Sequence, residues 1–138
     1  MSASSFWKTP AWQTPIERAD RVELLELPRE IIAHDGWPES FWANVGERGL
    51  LVGPDADRVI RLFRELEPGE SARCHMPPWG LALYEGEALL FTVSLCFMCS
   101  NVYVYDAAGM DLRAFNVAAR GAKSLLAVLK QHLPRCTE

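Results

Sequence analysis

The sequence has little net charge, no basic run and no long apolar segment. Its 138 residues carry a net charge of -4, which leaves no electrostatic footprint for nucleic acid. The most apolar stretch, residues 88–97, is shorter than the ~18 residues that cross a bilayer. The opening Met-Ser-Ala-Ser-Ser-Phe-Trp-Lys lacks the apolar centre of a signal peptide. We therefore expect a cytoplasmic protein with reduced thiols that binds neither nucleic acid nor membrane.

Catalytic motifs are also missing. The chain contains no glycine-rich phosphate loop and no metalloprotease helix motif. Its three histidines are His34, His75 and His132, and none has the spacing of a nucleophile–base pair. His75 directly follows Cys74, which is too close in sequence for the ring to act as a base on that sulfur. We expect a protein that is not an enzyme and needs no cofactor.

The distribution of apolar residues predicts an α+β fold with an antiparallel sheet covered by two helices. A period of 3.6 residues predicts one helix from residue 54 or 55 to about 67, and a second from a cap at Asn116 to Pro134. The inward faces should bury Val59, Phe63, Leu66, Phe91, Val93, Leu95, Leu125 and Leu129. Period-two alternation predicts strands at residues 21–27, 49–53, 80–84, 88–97 and 102–105.

The first part of the chain differs from the rest. Trp7, Pro10, Trp12 and Pro15 lie among polar residues without periodicity. We therefore predict an extended N-terminal arm over residues 1–18 and a single domain over residues 19–138.

Three of the four cysteines, Cys74, Cys96 and Cys99, lie in apolar, strand-like sequence. Thioredoxin-type chemistry would need a following helix and a nearby cation, and both are missing. A disulfide from Cys74 to Cys96 or Cys99 would need an oxidising compartment. Buried structural thiols are the default interpretation, because free cysteine packs as a small hydrophobe.

Zinc binding is the alternative interpretation of the same cysteines. Cys96 and Cys99 would form the ligand pair, with Cys74 as the third ligand. Residues three apart on a strand face opposite sides, so this pair could converge only at a turn or bulge. Structural zinc sites usually contain two such pairs, and only one is present. The candidates for the fourth ligand are His75, His132 and Cys136.

The cysteine segments resemble those of a widespread family of small, functionally uncharacterised bacterial proteins. The matching pieces are Ala19-Asp20-Arg21-Val22-Glu23-Leu24, Cys74-His75-Met76-Pro77 and Leu95-Cys96-Phe97-Met98-Cys99. That family has Arg-His after the proline, whereas this chain has Pro78-Trp79, so any role of the family histidine is absent here or passes to His75. The resemblance implies a shared architecture over residues 19–133 and a shared cysteine cluster, and it implies no activity.

Trp37, Phe41 and Trp42 lie in a segment with Gly and Pro, beside Asp35 and Glu39. Large aromatic residues are frequent anchors of protein interfaces, although they also cover the ends of sheets. The two acidic residues would steer a basic partner. We therefore expect a bacterial protein that acts by binding another protein, with a toxin-neutralising immunity protein as the candidate class. The alternative is a zinc- or thiol-dependent domain centred on Cys74, Cys96, Cys99 and His75.

Overall fold

The computed structural model describes residues 15–29 and 36–136. Its helices are α1 (Glu39–Ala43), α2 (Gly53–Arg64) and α3 (Arg120–His132), in addition to one helical turn at residues 15–18. This α+β architecture confirms the predicted fold class. The strands are β1 (Arg21–Glu26), β2 (Arg48–Leu51), β3 (Trp79–Glu85), β4 (Ala88–Cys96), β5 (Asn101–Asp106) and β6 (Gly109–Ala114).

All six strands form one antiparallel sheet in the order β2-β1-β3-β4-β5-β6. Strands β3 to β6 follow one another as a meander, whereas β1 lies between β2 and β3. In this register Glu23 of β1 has Leu50 of β2 on one side and Ala82 of β3 on the other. The edges of the sheet are therefore β2 and β6, and the first strand along the chain, β1, lies inside the sheet.

Helices α2 and α3 cover the first face of the sheet and enclose the main core. Helix α2 begins with Gly53 at a φ of 62°, followed by Pro54, whose missing N–H costs nothing in the first turn. Its stripe of Val59, Ile60 and Phe63 is buried, as an amphipathic period requires. The predicted core is confirmed, because the exposed fraction is 1% or less for Val59, Phe63, Leu66, Phe91, Val93, Leu95, Leu125 and Leu129.

The second face of the sheet carries the alternate side chains, including Thr92, Ser94 and Cys96 of β4. The segment containing α1 covers its middle, where Phe41 packs with Leu25, Leu27, Ala82 and Tyr105 in a smaller cluster. A further segment, residues 71–78, lies against the β4–β5 end. Each face of the sheet therefore has a different kind of cover.

Several boundaries differ from the expectation. Helix α3 begins at Arg120, because Asn116 Oδ1 accepts a hydrogen bond from the Ala118 N–H and forms a turn before the helix. Strand β6 was not predicted. At residues 15–18 the chain is helical and Ile16 is fully buried, in contrast to an extended arm, whereas residues 1–14 of that arm lie outside the described residues.

Candidate functional site

The three aromatic residues of the predicted binding segment lie on the second face of the sheet. Phe41 is fully buried, with its ring centroid 5.4 Å from that of Tyr105. Trp37 is half-buried, and its Nε1–H donates to Thr92 Oγ1 at 2.8 Å. Trp42 is half-buried and meets the Phe41 ring edge-on at 5.9 Å. Phe41 is thus a core residue, and only the two tryptophans keep surface for a partner.

Of the two acidic neighbours of these aromatics, the described residues include Glu39. Glu39 is exposed in the first turn of α1. Asp35 lies outside the described residues. The binding role of the segment stays a prediction.

A charged centre beside Trp42 joins three strands of the second face. The Arg48 guanidinium donates to both carboxylate oxygens of Glu23, from Nε at 2.8 Å and from Nη2 at 2.9 Å. The Tyr84 hydroxyl donates to the same carboxylate at 3.0 Å. The guanidinium carbon of Arg48 also lies 4.6 Å from the centre of the Trp42 ring. Two-pronged pairing and ring stacking together hold Arg48 in one orientation.

The same contacts shift the pKa of two groups. The hydrogen bond to Glu23 is the main reason that the pKa of Arg48 is raised above its ordinary value. Burial, followed by the hydrogen bond to Glu23, raises the pKa of Tyr84 to about 12. The guanidinium therefore stays charged and the phenol stays neutral at physiological pH, so Tyr84 remains a hydrogen-bond donor to Glu23.

A cavity of about 270 Å³ opens beside this centre. Its polar floor is formed by Glu23, Arg48 and Tyr84, and Leu50 adds an apolar wall. Arg21 also lines it and forms no ion pair with residues 15–29 or 36–136. The cavity is therefore a polar recess in which Arg48 and Glu23 pair, whereas Arg21 and Glu87 form no ion pair with the described residues.

Strand β2 borders this cavity and exposes apolar side chains. Leu50 is 56% exposed, and Val52, which continues the extended conformation, is 53% exposed. Arg48 connects them to Trp42 through the ring contact. We call the group formed by Trp42, Arg48, Leu50 and Val52 the β2 surface.

The cysteine residues form one disulfide, between Cys74 and Cys99, whose Cα atoms lie 5.8 Å apart. The default interpretation of buried free thiols is therefore wrong for these two residues, and Cys74 is exposed rather than buried. The interpretation holds for Cys96, which is buried and lies outside the disulfide, and Cys136, for which no burial was predicted, is also a buried thiol. Cys96 Sγ accepts a hydrogen bond from the Cys99 N–H at 3.2 Å, so the cysteine pair forms a turn at the end of β4.

The four residues of the zinc interpretation do not come together as ligands. Residues 15–29 and 36–136 contain no group of three or more His, Cys, Asp or Glu side chains that could hold a metal ion. Cys74 and Cys99 are bonded to each other. His75 has a side-chain partner on each ring nitrogen.

His75 is the centre of a buried polar network beneath residues 71–78. Its Nδ1 lies 2.5 Å from Asn101 Oδ1, and its Nε2 lies 2.7 Å from Ser94 Oγ. The Asn101 amide nitrogen donates to the Cys74 carbonyl at 2.8 Å, so Oδ1 faces the imidazole and Nδ1 must carry the proton. The ring of Tyr103 stacks on His75 at 4.2 Å.

Burial lowers the pKa of His75, which keeps the ring neutral with Nε2 accepting from the Ser94 hydroxyl. Ser94, His75 and Asn101 thus stand in the order of a nucleophile, a base and an orienting residue. Ser94 is only 1% exposed and lies within a central strand, and the Tyr105 hydroxyl is 3.2 Å from its oxygen. The network acts as an anchor that fixes residues 71–78 to the sheet.

Sequence reasoning missed both polar centres. Glu23 pairs with residues 25 and 61 positions away, and His75 pairs with residues 19 and 26 positions away, so no local spacing marks them. The available signal was a carboxylate within the otherwise apolar run of β1.

Comparisons with protein-family models, curated protein sequences and solved structures found no match to this chain. The family resemblance of the cysteine motifs stays a prediction. None of the helices formed by the described residues is long and apolar enough to cross a membrane.

Proposed function

We propose that this protein acts by binding another protein through the β2 surface. The observation that carries the proposal is the exposure of Leu50 and Val52 next to Arg48, which is stacked on Trp42. Tryptophan and arginine are the residues that most often dominate binding energy at interfaces, particularly where apolar neighbours exclude water.

The fixed orientation of Arg48 supports this function. A free arginine side chain loses rotamer entropy when a partner immobilises it, at a cost of about 0.5–1.5 kcal/mol. Glu23 and Trp42 already restrict Arg48 in the unbound protein. Less entropy is therefore lost on binding, and more of the contact energy contributes to affinity.

The finer proposal is a partner with a basic surface, with a toxin neutralised by this protein as the candidate pair. The net charge of -4 favours a basic partner during approach. Exposed acidic groups such as Glu39 add to this field. The charge affects mainly the association rate, which salt should slow.

The test is co-expression with the products of the genes beside its own, followed by titration of any complex. Trp42→Ala should weaken binding by about 2 kcal/mol, and Leu50→Ala by about 1 kcal/mol or more. Met110→Ala is the matched control, because Met110 is 41% exposed at the opposite edge of the sheet. Equal effects of Trp42→Ala and Met110→Ala would contradict the β2 surface.

Thiol chemistry is the second candidate function, and one observation favours it. Cys74 of the disulfide is an exposed residue, whereas Cys99 is fully buried, so a thiolate would attack from the side of Cys74. Reduction of the disulfide before the titration separates the two functions. If partner binding is the function, the folded, reduced protein should keep its affinity, whereas strict dependence on the disulfide would favour thiol chemistry.

A further inference from the structure

The backbone of β2 presents hydrogen-bonding groups at the outer edge of the sheet. The Glu26 N–H donates to the Glu47 carbonyl, and the Gly46 N–H donates to the Glu26 carbonyl, both at 2.9 Å, so the backbone of Glu26 faces β2. In an antiparallel ladder, the backbone N–H and C=O groups of successive residues point alternately toward one neighbouring strand and toward the other. Leu24 therefore also faces β2, whereas Glu23 does not and forms no backbone hydrogen bond with its partner Leu50. The N–H and C=O groups of Leu50 consequently point away from β1, and the same holds for Arg48.

The hydrogen bonds between β1 and β3 also indicate that Arg48 and Leu50 point away from β1. The Leu27 N–H donates to the Pro78 carbonyl at 2.9 Å, so the backbone of Leu27 faces β3. By alternation, Leu25 and Glu23 also face β3 and cannot bond to β2. Arg48 and Leu50 have no backbone hydrogen bond at their outer side to any residue of the described ranges.

At the opposite edge of the sheet, the end of β6 is covered by the chain around Gly69. The Ala114 carbonyl of β6 accepts a hydrogen bond from the Gly69 N–H at 3.2 Å, and Pro68 bridges to Phe115. A Cβ on Gly69 would collide with the Phe115 backbone, so glycine permits this close cover. Exposed edges are sites where other chains add, and proteins usually protect them. The Ala114 end of β6 is thus covered, whereas within residues 15–29 and 36–136 no backbone group pairs with the outer side of β2 beside exposed Leu50.

We propose, building on the protein-binding function above, that the partner binds by adding an extended segment to the outer edge of β2. Main-chain hydrogen bonds to Arg48 and Leu50 supply affinity, and side chains that alternate along the segment supply specificity. Apolar side chains of the segment lie against Leu50 and Val52. The occupant is a linear stretch of a protein partner rather than a folded surface alone.

Arg21 of the cavity specifies one position of that segment. Arg21 has no ion-pair partner among the described residues, whereas Glu23 is neutralised by Arg48. Glu87, the other acidic residue of the lining, is exposed to solvent. An acidic side chain of the added segment enters the cavity and pairs with Arg21. This local contact is independent of the overall field that favours a basic partner.

The probe is an array of ten-residue peptides with alternating apolar positions, each made with Glu and with Gln at a central position. We expect the best peptide with Glu to bind at least tenfold more tightly than its Gln counterpart, a difference of about 1.4 kcal/mol. Arg21→Gln should remove this preference. An array in which no peptide with Glu binds better than its counterpart overturns the acidic contact.

The strand addition is tested by Leu50→Pro, which removes an outward N–H without breaking the bond network to β1. The matched control is Leu112→Pro, because the outward Ala114 carbonyl places Leu112 outward on β6 by the same alternation. We expect at least a tenfold loss of peptide binding for Leu50→Pro and less than a twofold change for Leu112→Pro. Equal behaviour of the two variants overturns the proposal.

Amide exchange of the unaltered protein gives an answer that does not depend on whether the proline variants fold. Adding the best peptide should slow exchange of the Arg48 and Leu50 amides at least tenfold and leave those of Met110 and Leu112 unchanged. Protection at both edges or at neither overturns strand addition.

A dimer of the free protein that Leu50→Pro dissociates also overturns strand addition by a partner, since a second copy of the chain is then the occupant. If Trp42→Ala weakens partner binding while the amides stay unprotected, protein binding stands and only strand addition fails.

Discussion

Removal of the Cys74–Cys99 disulfide should destabilise the protein chiefly through its unfolded state. The two residues are 25 positions apart, and closing a loop of this length removes conformational entropy worth about 3.5 kcal/mol at 25 °C in the chain-entropy account. In the folded protein, Asn101 still holds residues 71–78 through the Cys74 carbonyl and His75. We therefore expect the Cys74→Ser/Cys99→Ser variant to fold and to lose about 2–4 kcal/mol of unfolding free energy.

Urea unfolding followed by tryptophan fluorescence measures this loss. A reductant should lower the unfolding free energy of the unaltered protein to that of the double variant and leave the double variant unchanged. Thiol counting supplies an independent check. The denatured protein should show two free thiols, from Cys96 and Cys136, and four after reduction.

Cys136→Ser is the control, since Cys136 is buried but forms no cross-link. This variant should keep the full response to reductant. A loss below about 1 kcal/mol in the double variant would refute the reasoning. The disulfide would then either strain the folded protein by a similar amount or close a loop that residual structure already restricts in the unfolded chain. Four thiols before reduction would refute the cross-link itself.

Two further predictions concern the core and the buried network. Phe63→Ala should cost about 3–5 kcal/mol in urea unfolding through lost burial and a cavity, and a change under about 1 kcal/mol would contradict the assigned helix face. His75 has a folded pKa below its ordinary value of 6.5, so the unfolded chain binds more protons. The contribution of His75 to the unfolding free energy should be complete above pH 6.5 and should fall as pH drops through 6.5 toward the folded pKa. The variant His75→Gln should flatten this pH dependence, whereas the control variant His132→Gln, at an exposed histidine, should retain it.

Local patterns predicted most of the fold. The stripe of Val59 and Phe63 and the alternation of Phe91, Val93 and Leu95 depend on periods of 3.6 and 2, which the chain expresses within a few residues. Strand β6 was missed although Met110 and Leu112 alternate with Asp111 and Arg113, because the alternation is short and lies at an edge, where none of its residues is fully buried. Edge strands provide a weaker signal than central ones for this reason.

The candidate site could be predicted only in part. The aromatic segment was recognised, but which of its rings would be buried depends on Tyr105, which lies far along the chain. The Glu23–Arg48 pair and the disulfide join residues 25 positions apart, and their register comes from strand pairing rather than from spacing. The cysteine interpretations stayed open because several pairings satisfied the same sequence.

The position of β1 within the sheet has a consequence for the order of folding. Strands β3 to β6 are joined by short turns and can pair as each hairpin forms. Strand β1, in contrast, pairs with β3 through residues that lie 53 positions apart at Glu26 and Trp79 and 63 apart at Arg21 and Tyr84. Loop closure makes such non-local pairing slow, so the meander is expected to form first and to serve as the template on which β1 and β2 dock. During ribosomal synthesis β1 emerges before β3, so β1 stays unpaired with β3 until the chain has been made beyond Glu85.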